Sequence, residues 1–413
     1  MSDTMPYEKI IYINKSKQRG VKYNWKKVYK FYRSLKCPVG FYDPTTAPLE
    51  TAKYNIVFSA RGGGKTINVQ LLGMCLNAMY GAKIVYIRQG YDQIAQKSVA
   101  NMFNVIKEFG YISEITKGRW NSCMLKSRRW YYCNVDVEGQ IVEKAAEEFM
   151  FMCSIDEAQN LKSGWNEPMA DFIIYDEFIP TDFRAYMVDE FPRFCDLLST
   201  IVRQRFSPVI FMLANNTDKE SPYFYDFEVD DQVKAMKKGD HFEYKTAKGT
   251  PCYVEWFDPD TTVTQKTIRS RMNELFFGFT NPKLGAITND DWQITPRQRI
   301  PNYRERTADE RPTIEVVVNN IYVKSHSKFV KMDIVIDSEL GLCCYVHWAT
   351  KTYPDSIILT NEDRYDPRFQ YGFGTGNLAK LIRKLFVENR VYYQSNDLAA
   401  FLDSYMLVLD TRR

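Results

Sequence analysis

From residue 53 onward, short apolar runs alternate with stretches whose apolar positions recur at helical spacing. Tyr54–Ser59, with Ile56, Val57 and Phe58 at its centre, reads as a buried strand. Val69, Leu71, Leu72, Leu76 and Met79 then mark a helix over Thr66–Tyr80, which Gly81 stops. A second strand at Lys83–Arg88 leads into a helix from Ile94 to Phe109, followed by short β-type material over Arg119–Val137. Further strands fall at 149–155, 171–175 and 208–213, with a helix over Phe191–Thr200 before the last of them. Strands that alternate with helices predict a parallel sheet flanked by helices.

The pattern changes near residue 225. Residues 226–310 are more polar, with a helix at Thr264–Phe277 and breaks at Pro282, Gly285 and Pro296. After Pro312 come β-type runs at Thr313–Tyr322, Phe329–Ile336, Leu342–His347 and Ser356–Leu359, then a helix over Asn377–Glu388 and a last run at Val391-Tyr392-Tyr393. The chain therefore divides into a segment 1–49, an α/β domain 50–257, a linker or lid region 258–310 and a small C-terminal α/β domain 311–413. A length of 413 residues suits two or three domains.

Charge changes the picture at the N-terminus. Residues 1–36 carry ten Lys/Arg against Asp3 and Glu8, a net of +8, which leaves −4 for the remainder of a chain whose total is +4. At helical spacing Trp25, Val28, Tyr29, Tyr32 and Leu35 form an apolar stripe beside a lysine-rich face. Such a helix suits docking on a nucleic acid or an acidic protein, or packing on its own domain with the lysines in solvent, and the two are compatible. No apolar run reaches the ~18 residues of a membrane span, and the N-terminus lacks the apolar core of a secretory signal. Nine cysteines without a C-x-x-C spacing suggest a reducing compartment, so the expectation is a soluble cytoplasmic protein without a membrane partner. Three scattered histidines (His241, His326, His347) disfavour zinc chemistry and histidine-based triads.

The candidate chemistry starts at Ser59-Ala60-Arg61-Gly62-Gly63-Gly64-Lys65-Thr66, between the first strand and the first long helix. Strand, glycine-rich turn, Lys-Thr and helix form a cradle for nucleotide phosphates, with Lys65 on the β- and γ-phosphates and the Thr66 hydroxyl on Mg²⁺. Ser59 stands where the GxxxxGK[ST] pattern has its first glycine. Arg61 is a further candidate for contact with the γ-phosphate.

An NTP hydrolase of this kind also needs an acidic residue at the tip of a neighbouring strand and a polariser for the attacking water. Two stretches compete. Phe149–Ile155 leads into Asp156-Glu157, and Phe172–Tyr175 leads directly into Asp176-Glu177. The second is preferred, because its unbroken apolar run ends on the acidic pair. Asp176 is then the Mg²⁺ ligand and Glu177 the catalytic carboxylate. Downstream, Arg203 and Arg205 are placed to act as arginine fingers toward a neighbouring subunit. Asn215, with Asn216 in reserve, ends the next strand where a γ-phosphate sensor would sit.

Ala-Arg-Gly-x-Gly-Lys-Thr, Asp176-Glu177-Phe178-Ile179, Arg203-x-Arg205 and Asn215 ahead of Ser221-Pro222-Tyr223-Phe224 together resemble the phi29-like podophage genome-packaging ATPases, or encapsidation proteins. The resemblance runs from about residue 53 to the C-terminus. It implies a P-loop ATPase domain of the ASCE type with a parallel central sheet, and a C-terminal RNase H-like domain derived from a nuclease yet without nuclease activity. It further implies a homo-oligomeric ring, a pentamer in the family, that uses ATP and Mg²⁺ to move double-stranded DNA through the portal of a procapsid in the host cytoplasm. Lys65 and Thr66 take the Walker A roles, Asp176 and Glu177 the Walker B roles, Arg203 that of the trans finger and Asn215 the coupling position. Whether a packaging RNA is a further partner stays open, and the part played by 1–49 does not carry over. Two other readings compete: a terminase large subunit with a working nuclease, and a P-loop protein that binds ATP as an assembly switch.

A nuclease needs clustered carboxylates. The C-terminal region offers Asp333 and Asp337 on one strand and Glu362, Asp363 and Asp366 in a polar loop, which is a weak set. Translocation on any sequence calls for phosphate contacts. The candidates are Lys117, Arg119, Lys126, Arg128 and Arg129, set among Trp120, Trp130, Tyr131 and Tyr132. A second group comprises Lys266, Arg269 and Arg271, with Arg297, Arg299, Arg304 and Arg306 beyond.

Overall fold

The computed structural model describes residues 23–36, 41–158, 170–180, 190–203, 207–215, 221–259, 314–325, 328–360, 367–371 and 376–395, with residues 160, 161, 186, 187, 271, 275, 398, 399, 401 and 402 besides. Apart from residues 271 and 275, the expected helix at 264–277 lies outside these residues, as do nearly all of the linker region 258–310 and Glu362, Asp363 and Asp366. The chain forms two compact units. The first comprises Met1–Pro180, Glu190–Thr217 and Ala235–Asp291, the second Thr181–Asp189, Asp218–Lys234 and Trp292–Arg413.

The first unit is built on a ten-stranded sheet. Its centre is six parallel strands in the order β6 (Met150–Ser154), β2 (Ile84–Arg88), β7 (Phe172–Asp176), β8 (Val209–Asn215), β1 (Tyr54–Ser59) and β10 (Pro251–Trp256). Antiparallel strands finish both edges. β9 (His241–Lys245) pairs with β10, while β4 (Arg129–Val135) pairs with β6 and carries β3 (Ser122–Lys126) and β5 (Ile141–Lys144). Every residue of β6 and of β7 is buried, the mark of strands covered on both faces. The sequence pattern missed β9 and β10. β9 alternates between exposed and half-buried residues at an edge, and Glu255 interrupts the apolar run of β10. That carboxyl is tolerated in the interior because Thr46 and Tyr253 donate hydroxyl bonds to it, at 3.0 and 2.9 Å.

Helix α1 (Trp25–Ser34) belongs to this core. The Asn24 side chain accepts from the Lys27 amide at 3.1 Å and caps its start. Trp25, Val28, Tyr32 and Leu35 are buried in one cluster with Leu71, Leu72, Met74 and Cys75 of α2 (Lys65–Tyr80), which leaves Lys26, Lys27 and Lys30 exposed. α2 in turn crosses the sheet closely enough that a Cβ on Gly73 would come within 2.9 Å of the Phe172 ring of β7. The single helix expected from Ile94 to Phe109 is instead two short ones, Gln96–Val99 and Asn104–Glu108, and a third, Tyr111–Ile115, follows them. The Asn101 and Asn104 side chains bond each other at 3.1 Å at one break, and Gly110 takes φ +71° at the other. Among the described residues no helix is long and apolar enough to cross a membrane.

The second unit contains a six-stranded sheet in the order β15 (Phe369–Tyr371), β14 (Ile357–Thr360), β11 (Ile314–Ser325), β12 (Lys328–Asp337), β13 (Gly341–Ala349) and β16 (Val391–Tyr393). β11, β12 and β13 form an antiparallel meander. β14 runs parallel to β11, β15 parallel to β14 and β16 parallel to β13. Helix α4 (Asn377–Val387) buries Ala379, Ile382 and Leu385 in one cluster with Val330, Met332, Ile334, Cys344 and Val346.

Trp25→Ala should destabilise the first unit by about 3 kcal/mol or more, because a fully packed aromatic is lost, and denaturant unfolding will read this. In the second unit burial pushes the Asp226 carboxyl up to about 7. As pH rises from about 4 to 7, the unfolded chain releases this proton while the folded one keeps it, so stability falls by a few kcal/mol across that window. Asp226→Asn should therefore raise Tm at pH 8 and leave it unchanged at pH 4.

Candidate functional site

β1, β7, β8 and β2 all end at one edge of the sheet, so the segments that leave their C-terminal tips converge there. The loop Ser59–Thr66 leaves β1 and enters α2 through Gly64, which takes φ +70°. Inside the loop the Lys65 ammonium turns back on its own backbone. Lys65 Nζ donates to Ser59 Oγ at 2.7 Å, to Ala60 O at 3.2 Å and to Ser59 O at 3.3 Å. Ser59 thus gives the lysine a hydroxyl that a glycine in this place could not. Arg61 is exposed at the outer side of the turn.

Thr66 and Asp176 are 110 residues apart in sequence, and the fold puts them in contact. Thr66 Oγ1 lies 3.0 and 3.2 Å from the two Asp176 carboxylate oxygens. Tyr86 on β2 donates its hydroxyl to Asp176 Oδ2 at 2.8 Å, and the Glu177 amide donates to Oδ1 at 3.1 Å. Burial pushes the Asp176 carboxyl above its ordinary range, and the Glu177 charge adds to this. Arg88 and the hydroxyls of Tyr86 and Thr66 pull it back. A carboxylate beside a threonine hydroxyl is an all-oxygen donor set of the kind Mg²⁺ takes together with a nucleotide's own phosphates.

Glu177 comes next, in the left-handed region at φ +56°, an uncommon backbone for a non-glycine residue. Its carboxylate is paired with the Arg88 guanidinium, and the same guanidinium stands 3.8 Å from Asp176. Asn215 ends β8 level with Ser59, its Cα partner across the β1–β8 ladder. Helix α3 (Glu190–Val202) ends in Arg203, exposed and at φ +44°, with its Nε donating to Thr200 O at 3.2 Å. Arg205 lies outside the described residues.

The competing pair Asp156-Glu157 sits after β6, on the far side of β2 and β7 from β8 and β1. Its side chains are engaged locally. Asp156 accepts from the Tyr91 amide at 3.0 Å, and Glu157 accepts from Ser154 Oγ at 2.8 Å and pairs with Arg128 at 2.7 Å.

Sequence reasoning missed Arg88, Tyr86 and the residue next to them, Gln89. Gln89 Nε2 donates to the buried Glu190 carboxylate at 3.0 and 3.2 Å, and the Tyr175 hydroxyl donates to the same group at 3.0 Å. The apolar run of β2 stops on Arg88-Gln89 just as that of β7 stops on Asp176-Glu177.

The basic groups divide in two. Arg119 pairs with Glu143 and lies over the Trp120 ring at 4.3 Å, Arg128 is held by Glu157, and Trp130 and Tyr132 are core residues. Lys117 and Lys126 are exposed. Of the second group only Arg271 is described, and it is exposed. In the second unit Asp333 is buried between Lys331, at 2.9 Å, and His347, at 3.1 Å. Asp337 accepts from the amides of Glu339 and Leu340 in the adjoining turn.

Residues 39–243 match the family model of the Podovirus DNA encapsidation protein (Gp16). Two solved structures share the fold. The phi-28 gp11 DNA packaging motor is 18% identical, covers 90% of this chain and 99% of its own, and has a TM-score of 0.55. The bacteriophage phi-29 viral genome packaging motor assembly is 18% identical, covers 89% and 99%, and has a TM-score of 0.52. Among curated proteins none matches in sequence.

Ser59→Ala removes the hydroxyl that holds Lys65 back against the loop. Hydrogen bonds to a charged group contribute about 1.5 kcal/mol or more, so binding of an ATP analogue should tighten roughly tenfold. Weaker binding in an equilibrium titration would mean that the hydroxyl contacts the nucleotide instead.

Proposed function

We propose that this chain, whose residues 39–243 match the podovirus DNA encapsidation family, is the ATPase that drives phage DNA into a procapsid. The observation that carries this reading is the contact of Thr66 with Asp176 at the head of α2, at 3.0 Å, with Glu177 beside it. In this site the Ser59–Thr66 loop holds the triphosphate, with Lys65 leaving Ser59 to reach the phosphate oxygens. Thr66 and Asp176 would hold Mg²⁺, which supplies charge neutralisation to the β- and γ-phosphates. Glu177 orients and polarises the attacking water once Arg88 releases it. Asn215, level with Ser59, is positioned to sense the γ-phosphate. Arg203, at the exposed end of α3, is offered to the site of a neighbouring subunit, with Arg205 as the alternative.

The partners are those this activity requires: double-stranded DNA, the portal of the procapsid in the host cell, and further copies of the chain in a ring, with five as the expected number. Lys117, Lys126 and Arg271 are candidate DNA contacts, because their exposure supports phosphate binding. The antiparallel β11–β12–β13 meander with β14 and β15 added in parallel beside β11 supports an RNase H-like second unit. Asp333 is already engaged by the Lys331 ammonium and the His347 ring, which supports the absence of nuclease activity.

ATP hydrolysis by the purified chain should rise on adding double-stranded DNA, and Glu177→Gln should lower it by about 10²–10⁴-fold. Mixing Arg203→Ala with Glu177→Gln chains should restore part of the activity, since intact sites then form at mixed interfaces. Hydrolysis indifferent to both DNA and Glu177→Gln would favour an ATP-dependent assembly switch.

A further inference from the structure

The phosphate chemistry leaves one wall of the nucleotide site unused. Phe41 lies directly on the last glycine of the loop, and a Cβ built on Gly64 would come within 2.6 Å of the Phe41 ring. Nevertheless the residue is 39% exposed, so the ring packs on the loop and still presents surface to solvent. The residues after it fix its position. The Tyr42 amide donates to Gly63 O at 2.9 Å, and Tyr42 O accepts from Asn68 Nδ2 of α2 at 2.7 Å. The Tyr42 ring is buried and meets Phe257 edge-on at 5.5 Å. Asp43 then caps the turn Pro44–Thr46, accepting from the Thr45 amide at 2.9 Å. The backbone on which Phe41 stands is therefore tied to both the loop and the helix that grip the phosphates.

A rigidly mounted, half-open aromatic ring beside a phosphate cradle suits a flat aromatic ligand that leaves the phosphates one ribose away. We propose that Phe41 is the base platform of the nucleotide site, and that the purine of the bound triphosphate stacks on the open part of its ring. This rests on reading Ser59–Thr66 as the phosphate cradle. Stacking needs a π-face and no particular hydrogen-bonding edge, so the platform accepts adenine and guanine alike and gives less to the smaller pyrimidines. It also gives residues 41–49 a role in the site. They are the link through which the Tyr29 hydroxyl on α1, bonded to Ala47 O at 2.7 Å, joins the helix to the nucleotide.

The test is equilibrium binding of ATP, GTP and inorganic triphosphate, each with Mg²⁺, to the full chain. Phe41→Ala should weaken ATP and GTP about tenfold, the lower part of the range for one lost stack. It should leave inorganic triphosphate within twofold, which also shows that the loop is still folded, and Phe41→Trp should restore purine binding. Unchanged ATP affinity in Phe41→Ala overturns the proposal. So does a parallel loss of ATP and inorganic triphosphate, because Phe41 would then act only as a prop for the loop. Lys65→Ala separates the two levels of the argument: it should abolish binding of all three ligands. Wild-type binding by Lys65→Ala would remove the cradle, and the platform with it.

Discussion

The contact between Thr66 and Asp176 is the constraint around which the first unit is arranged. A hydroxyl on the first turn of α2 and a carboxylate at the tip of β7 meet at 3.0 Å because β1 and β7 run the same way. β8 lies between them and sets their offset: Ser59 at the end of β1 lies opposite Asn215, and Asp176 at the end of β7 lies opposite Leu213, two residues short of it. The price is a buried carboxylate. Tyr86, Thr66 and the Glu177 amide meet it with hydrogen bonds and Arg88 with charge.

The tips of β2 and β7 extend this arrangement in two directions. Arg88 and Gln89 are consecutive, as are Tyr175 and Asp176, and neighbouring residues of a strand point to opposite faces. On one face Arg88 meets Asp176 and Glu177, and on the other Gln89 and Tyr175 meet the Glu190 carboxylate at the start of α3. The same two strand ends therefore fix the carboxylates of Asp176 and Glu177 and the origin of the helix that ends in Arg203. A shift of either strand tip would be felt on both faces, because the sheet interior has no slack to absorb it.

The parts of this site that were legible in the sequence are those that a local pattern marks. Lys65 and Thr66 could be named because a glycine-rich turn joins a buried strand to a helix, Asp176 and Glu177 because an apolar run stops abruptly on them, and the parallel order comes from the alternation of strands and helices. β10 was not legible, because Glu255 breaks its pattern and its burial depends on Thr46, some two hundred residues away. The helix expected over 94–109 failed for a local reason: its apolar spacing is correct, but the bonded side chains of Asn101 and Asn104 stand where it breaks. Arg88 was overlooked because an arginine at a strand end looks like a solvent-facing charge until the carboxylates of the next strand are placed beside it.

The N-terminal helix joins two readings that the sequence held apart. Packing and charge use different faces of α1, so burying Trp25, Val28, Tyr32 and Leu35 is what fixes the direction of Lys26, Lys27 and Lys30. Lysines on a frayed segment would lose ordering entropy on meeting a polyanion, whereas on a helix already held by the core most of that cost is met in folding. The arginines of the β3–β4 hairpin are in a different position. Arg119 and Arg128 already face Glu143 and Glu157, and an exposed pair such as Arg119–Glu143 contributes little to stability. A line of phosphates could therefore compete for Arg119, while Arg128, half-buried between Glu157 and the Tyr91 ring, is better understood as part of the fold that carries the site.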